Sequence, residues 1–477
     1  NPELAGAITD SSINSYTLDY NTEGYFGRAQ YNYDNRYFAS VSFRRDASSV
    51  FHPDHRWGNF WSFGAAWIIS KESWFNAPWV DELKIKASYG EQGNDNIPFY
   101  LYTDRYSFQN NNGEIALVPS GTKGNETITW EKNANFNAGV EFSLLKGRLM
   151  GSMEYFIRRT TDMLTAFQLP PSSGYTSTYD NTGNMHNQGV EVELNGTVLR
   201  TKDFEWGLNL NLTAYKNEIA EINEENKTEI APNGSRGYGG GQYFYGEGES
   251  MYTWYMHKFA GVDHETGEAL YYKRVSKPVV DENNNPVLDK NGEPKTEYVI
   301  ETTKNATEAT KFLCGTALPW AYGGFGTTFA YKGFDLSLDF TYQLGGKVYD
   351  SEYASSMAGS RGYAFHTDLI NAWTPENVNS NIPKYEISDD NMAAASDRFL
   401  TSASYLCLQN VNFGYTLPKN LVAKAHLTNV RVYFSGSNLW LWSKRQGLDP
   451  RQSITGATAA YTYSPMRTIQ GGVTISF

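Results

Sequence analysis

Few residues in this chain have types and spacing suited to chemistry. His52-Pro53-Asp54-His55 sets two imidazoles and a carboxylate within four positions, a donor set that suits zinc. No further ligand follows nearby, so a solvated loop is the expected reading. Asp281-Glu282-Asn283-Asn284-Asn285 and Asp289-Lys290-Asn291-Gly292 have the composition of calcium loops. They lack the regular Asp spacing and closing Glu of an EF-hand, so a polar hairpin is expected, with loop calcium as the alternative and no other cofactor. His186 or His366 would have to meet a loop serine to make a hydrolase. No Gly-x-Ser-x-Gly, phosphate loop or His-Glu-x-x-His accompanies them. One aromatic cluster stands out: Tyr238, Tyr243, Phe244, Tyr245, Tyr252, Trp254 and Tyr255, around Gly239-Gly240-Gly241. Flat rings suit the C–H faces of sugars, and Tyr and Trp suit protein interfaces equally. Contact with a covering protein or packing within the loop is expected ahead of direct ligand contact.

The elements that position these residues are strands. In 136–144, Phe136, Ala138, Val140, Phe142 and Leu144 alternate with Asn137, Gly139, Glu141 and Ser143. Val190, Val192 and Leu194 alternate with Glu191, Glu193 and Asn195. Trp206, Leu208, Leu210 and Leu212 alternate with Gly207, Asn209, Asn211 and Thr213. Phe334, Leu336, Leu338 and Phe340 alternate with Asp335, Ser337, Asp339 and Thr341. The stretch Leu83–Tyr89 behaves the same way. This period of two marks strands with one apolar and one polar face. Helical periodicity is nearly absent; only 393–398 and 420–425 suggest a turn of helix.

Thirteen strands are expected, at 22–33, 36–47, 59–70, 81–91, 129–145, 148–163, 187–200, 203–217, 319–331, 334–348, 403–417, 429–442 and 464–477. Two-residue links at Asp34-Asn35, Lys146-Gly147, Thr201-Lys202 and Lys332-Gly333 alternate with long connections at 48–58, 91–128, 164–186, 218–318, 349–402 and 443–463. Medium links fall near 71–80 and 418–428. Short turns at one end and long loops at the other are the mark of an outer-membrane barrel. A secreted β-sandwich or solenoid does not predict that asymmetry. The expected fold class is therefore all-β: a transmembrane antiparallel β-barrel with short periplasmic turns and long extracellular loops.

Composition agrees. Aromatics make up 15% of the 477 residues, including 34 Tyr and 12 Trp, and charged residues only 19%. The net charge of −12 argues against a nucleic-acid partner. No run of about 18 apolar residues offers a transmembrane helix. The two cysteines, Cys314 and Cys407, are expected to be free thiols.

On this reading the polar face lines a lumen: Asn137, Glu141, Glu191, Glu193, Asn195, Asn209, Asn211, Asp335, Asp339, Thr341, Gln470 and Thr474. Leu208, Leu210, Leu336 and Leu338 face lipid. Tyr37, Trp206, Tyr331 and Phe334 fit an interfacial girdle. The last strand sends Ile469, Val473, Ile475 and Phe477 towards lipid and closes the barrel. The first and last strands both run towards the periplasm. A closed bacterial barrel normally has an even strand number, so an odd number of strands is expected upstream. A start at Asn-Pro-Glu, without Met or signal peptide, fits a fragment.

The residues now carry a resemblance. Tyr31-Asn32-Tyr33-Asp34-Asn35-Arg36-Tyr37, Arg44-Arg45-Asp46-Ala47-Ser48-Ser49, Arg56-Trp57-Gly58-Asn59-Phe60 and Gly64-Ala65-Ala66-Trp67 occur in order. Leu83-Lys84-Ile85-Lys86-Ala87-Ser88-Tyr89-Gly90, Asn181-Thr182-Gly183-Asn184-Met185, Trp373-Thr374-Pro375-Glu376-Asn377 and Asn412-Phe413-Gly414-Tyr415-Thr416-Leu417-Pro418 follow. Together they resemble the C-terminal barrel part of the SusC/RagA family of TonB-dependent outer-membrane transporters. Ala47, Val50, Trp61 and Cys407 depart from the family pattern. The resemblance implies a barrel of about 22 strands around a plug, leaving about nine strands and the plug upstream of residues 1–477. It implies active import of oligosaccharides or oligopeptides and no enzymatic activity. A SusD-like surface lipoprotein would cover the barrel, and TonB–ExbB–ExbD would act through the upstream part. It also admits a dimer of transporter–lipoprotein pairs. The loop aromatics from Tyr238 to Tyr255 would then touch substrate or lid. The alternatives are a barrel-resident hydrolase, a passive channel or an adhesin.

Overall fold

The computed structural model describes residues 17–111, 114–281, 286–288, 294–358, 364–387, 389–458 and 462–477. One antiparallel sheet of 13 strands dominates, paired in the order of the sequence. Its strands are β1 Thr22–Tyr33, β2 Tyr37–Ser48, β3 Trp57–Ile68, β4 Val80–Asn94, β5 Glu131–Leu144, β6 Leu149–Thr161 and β7 Asn184–Arg200. They continue as β8 Phe204–Glu221, β9 Ala321–Tyr331, β10 Phe334–Leu344, β11 Tyr405–Thr416, β12 Asn429–Ser443 and β13 Thr468–Ser476. All thirteen expected strands are present. Most are 11–18 residues long, enough to cross a bilayer obliquely.

Most boundaries differ from expectation by up to four residues, and at two of them the local reason is plain. The last strand starts at Thr468 and not at 464, because Pro465 has no N–H to give the ladder. The strand expected over 334–348 stops at Leu344, where Gly345 and Gly346 take φ +81° and +77° and turn the chain away. Residues Lys347–Tyr349 pair instead with Leu400–Ser402. A Cβ on Gly345 would stand 2.6 Å from the Trp320 ring, so only glycine fits there. The short turns are also longer than two residues, except at Lys332-Gly333. At the first, Asp34 and Asn35 both take positive φ and the Arg36 N–H returns to the Tyr33 carbonyl at 3.0 Å.

The chain divides into two compact units. Unit 1 comprises residues 1–142, 154–188 and 220–226; unit 2 comprises 143–153, 189–219 and 227–477. In unit 1 the long connections fold on themselves. Tyr106–Asn111 and Glu114–Pro119 form a hairpin, and Leu164–Gln168, Ser177–Asn181 and Thr122–Lys123 form a small sheet. Val50, Phe51, Phe60, Ile97, Leu101, Ile128 and Trp130 make a buried core there.

In unit 2 the connection between β8 and β9 is not the open loop its length suggests. It carries a sheet of Glu229–Ile230, Arg236–Gly240, Tyr243–Gly246, Thr253–His257 and Lys311–Thr316. A second sheet combines Phe259–Val262, Ala269–Pro278 and Thr296–Thr303. An unanticipated helix, α1, covers Ser351–Ala358. Short helical turns do occur at Asp397–Phe399 and Lys419–Val422, near the two expected places.

Candidate functional site

The loop aromatics lie in the core of unit 2. Thr253–His257 alternates in a strand that other strands flank, so its rings are enclosed. Trp254 and Phe244 are fully buried and Tyr255 is nearly so. The Trp254 ring lies 4.8 Å from that of Tyr243 and 6.3 Å from that of Tyr349, and its Nε1–H donates to the Lys347 carbonyl at 3.1 Å. Phe244 and Tyr255 pack at 5.0 Å. Met256, Cys314, Met357, Ile382 and Phe399 complete a core drawn from several connections. Sequence reasoning grouped all seven rings as contact candidates; Phe244, Trp254 and Tyr255 instead hold the layer together. Tyr238, Tyr243, Tyr245 and Tyr252 keep part of their surface. Tyr238 and Tyr245 pair at 5.2 Å, and the Tyr243 hydroxyl donates to the Thr455 carbonyl at 2.7 Å. Burial pushes the Tyr255 phenol up to about 12, with the Glu229 carboxylate adding to the rise.

The register sorts the sheet into two faces. On the polar face of unit 2, Asn209, Gly326, Asp339, Asn410, Ser437 and Thr468 form one row across β8 to β13. A second row runs Ser337, Asn412, Ser435, Gln470. The Asn211 Oδ1 accepts from the Gly324 N–H at 2.8 Å, and the Asn195 amide donates to Glu193 at 3.2 Å. Asp335 receives the fork of Arg431 at 3.0 and 2.5 Å, while Arg431 also donates to Asn412 at 2.8 Å. Glu191 lies on the same strand parity as Glu193. Thr341 pairs with Cys407, and Thr474 with Arg431.

The opposite face is apolar and exposed. Trp206, Phe329, Leu336, Phe413 and Phe434 form one row, and Leu208, Thr327, Leu338, Val411 and Ile469 another. Trp206 stacks on Phe329 at 5.9 Å, and Phe334 packs on Tyr415 at 4.4 Å. Ile469, Val473, Ile475 and Phe477 are 62%, 58%, 49% and 90% exposed, which water would not favour. Sequence parity alone misses one device. At Gln409 the register shifts by a bulge, so that Val411 and Leu408 share a face although their numbers differ in parity. The bulged Gln409 and Cys407 then meet Arg451, at 3.3 and 3.1 Å, while Asp449 holds Arg451 at 2.7 Å.

In unit 1 the polar face carries a charge network. Glu141 accepts from Lys84 and Lys86 at 2.9 Å each, and Lys86 reaches Glu154 at 2.8 Å. Asn137 points at Ser88, 3.5 Å away. Ser40, Ser42, Ser62, Gly64, Ser88 and Gly90 leave this part smooth, above a concavity of about 890 Å³. At the short-turn end, Glu72 gathers the Tyr37 hydroxyl, Trp67 Nε1 and Arg36 at 2.6, 3.0 and 3.2 Å. The Tyr37 hydrogen bond, foremost, holds the Glu72 carboxyl below its usual range.

The other sequence candidates resolve differently. His52 Nδ1 lies 3.6 Å from Asp54, and no third ligand joins them among the described residues. No group of three or more His, Cys, Asp or Glu residues suits a metal among the described residues. The Asp281–Asn285 and Asp289–Gly292 stretches lie outside the described residues, apart from Asp281. His366 Nδ1 accepts from the Asp368 N–H at 3.1 Å as a helix cap, which removes that nitrogen from base chemistry. Cys314 and Cys407 are free and buried. Burial pushes the Cys314 thiol up to about 11.

A sheet of this register, with one apolar exposed face and one polar face, is that of a membrane barrel. The profile of the family described as TonB dependent receptor-like, beta-barrel matches residues 2–439. The chain belongs to this family. TonB-dependent receptor barrels are integral outer-membrane proteins, and the chain is one of them. TonB-dependent receptor P26 of Formosa agariphila is 28% identical, over 98% of this chain and 48% of its own length. TonB-dependent receptor SusC of Bacteroides thetaiotaomicron is 28% identical, over 95% of this chain and 43% of its own. The solved RagAB peptide transporter superposes with a TM-score of 0.79 at 28% identity, covering 96% of this chain and 48% of that one. The RagAB importer in its closed-closed state gives 0.80 at 27% identity. The chain spans about half the length of the curated relatives it matches. These relatives are receptors and transporters, not enzymes.

Proposed function

We propose that this TonB-dependent barrel imports oligosaccharides or oligopeptides across the outer membrane, driven by TonB–ExbB–ExbD and covered by a SusD-like surface lipoprotein. The observation that carries the reading is the two-faced sheet with short turns at one end and folded loops at the other, in a chain that superposes on the RagAB transporter. On this reading the row through Asn209 and Asp339, with Asn137, Glu141, Glu191, Glu193, Asn211 and Asp335, lines a wet lumen. Asn, Asp and Glu side chains there tolerate water and hydrogen-bond a plug. Upstream strands and that plug complete the barrel, and β13, with Ile469, Val473, Ile475 and Phe477 towards lipid, closes on one of them. Among the described residues β13 pairs only with β12, which leaves one edge free for such a partner. The partly exposed Tyr238, Tyr243, Tyr245 and Tyr252 meet lid or cargo.

The test is uptake of labelled oligosaccharide and oligopeptide pools by cells carrying the intact gene, a TonB-deficient background, or a deletion of the lipoprotein. Import that needs both TonB and the lipoprotein is expected for one pool. Uptake that persists without TonB would mean a passive channel and would end this reading.

A further inference from the structure

One buried charge in the loop core of unit 2 has no counter-ion among the described residues. Arg398 sits on the turn Asp397–Phe399, with its guanidinium 5.3 Å from the ring of Phe259 and 5.3 Å from that of Phe399. Its Nη1 and Nη2 are both buried, and neither has a hydrogen-bond partner among the described residues. The carboxylates of this core are engaged elsewhere. Asp397 accepts from the Phe259 N–H at 2.8 Å, Asp350 pairs with Arg445 at 3.3 Å, Asp368 accepts from Tyr353 at 2.9 Å, and Asp389 accepts from the Asn391 N–H at 2.9 Å. The groups whose charge reaches Arg398 are the phenols of Tyr353 and Tyr271, neutral at ordinary pH. Burial holds the guanidinium below its ordinary value.

Two further buried groups close by in sequence and pairing lack a close hydrogen-bond partner among the described residues: Ser396 Oγ, two residues before Arg398, and Nδ1 of His257, which bridges to Ser396. Ser396 is fully buried. A hydroxyl and a guanidinium bring donors, whereas the neutral His257 ring gives its one N–H to the Ala309 carbonyl. Lys258 and Lys347 act on Asp397, so that carboxylate has its own cations apart from Arg398. Buried ions and polar groups are normally paired, because desolvation is costly. An unpaired buried cation with a hydroxyl two residues before it is the complement of an anion.

We propose that Arg398, with the Ser396 hydroxyl, forms a buried site for a small monovalent anion such as chloride, which staples the loop core of unit 2. The ion would hold the turn Asp397–Phe399 beside the strand Phe259–Val262, whose Phe259 ring faces the guanidinium. The proposal does not depend on what the barrel carries.

The experiment uses the intact protein in detergent, with sodium chloride titrated against sodium gluconate at constant ionic strength. The unfolding midpoint of the loop layer should rise with chloride and saturate, and Arg398→Met should abolish that dependence. Crystals soaked in bromide should show an anomalous peak at the guanidinium. Density there explained by water alone, with no anomalous peak, overturns the proposal. A chloride response unchanged in Arg398→Met does so as well. If Arg398→Met fails to assemble, the bromide signal in the wild-type protein still decides.

Discussion

Replacing Trp254 by alanine tests whether the long connections form a cooperative layer of their own. The indole is fully buried, packs on Tyr243 and Tyr349, and donates to the Lys347 carbonyl. Truncating a buried Trp costs about 3–5 kcal/mol, since the cavity relaxes only in part. Around the indole relaxation is restricted: Gly456 takes φ +79°, and a Cβ there would meet the Trp254 ring at 3.0 Å. A loss of about 4 kcal/mol corresponds to roughly a thousandfold in the population of the opened layer. The 13-stranded sheet has its own ladder and should not share the loss. Hydrogen exchange of the detergent-purified protein reads both at once. Amides of Thr253–His257 and Lys311–Thr316 should lose roughly a thousandfold in protection, up to the limit set by the wild-type opening energy, while those of β9 to β12 hold. If the loop amides change by less than about tenfold, the layer is not held by this core, and the assignment of these rings to packing is wrong.

Three other outcomes follow from the same geometry. Gly456→Ala should destabilise the loop layer by about 1–2 kcal/mol from the left-handed backbone alone, with more from the 2.6 Å approach to the Lys347 carbonyl; proteolysis within the connections should accelerate while heat-modifiable migration of the barrel stays normal. Spin labels at Leu208, Leu210, Leu336 and Leu338 should be accessible to oxygen and shielded from a water-soluble nickel reagent, whereas labels at Asn209 and Asp339 should show the reverse; wet leucine positions would invert the topology. Burial foremost, and then Lys311, depress the His257 pKa. The unfolded loop therefore binds the proton more tightly, so this contribution to stability is intact above about pH 6.5 and declines as pH falls below it. Limited proteolysis at pH 5 against pH 7.5 should show a looser layer in acid, and His257→Asn should flatten that difference.

The lumen candidates were legible because sheet faces obey a period of two, whatever the tertiary context. Asn209, Asn211, Asp335 and Asp339 fall on one face by parity, and the register puts Asn209 and Asp339 in a single row. The loop candidates were legible only as a group. Tyr and Trp have the same composition signature whether they face a partner or each other, and nothing local separates Trp254, fully buried, from Tyr245, which is not. Arg398 carried no signal either, since an unpaired guanidinium is defined by what fails to surround it.

By itself the sequence determined thirteen membrane strands, their two faces and the alternation of short turns with long connections. Each of these is written in residues adjacent along the chain, through pleat and turn chemistry. Tertiary structure decided the rest. It folded the long connections into small sheets, because Trp254, Cys314, Met357, Ile382 and Phe399 come from far apart in the chain and meet only in the folded core. It also set the bulge at Gln409 that reverses face parity midway along β11 and aims Arg451 at Cys407. A bulge depends on the two neighbouring strands pairing in register, and no single strand's sequence records that.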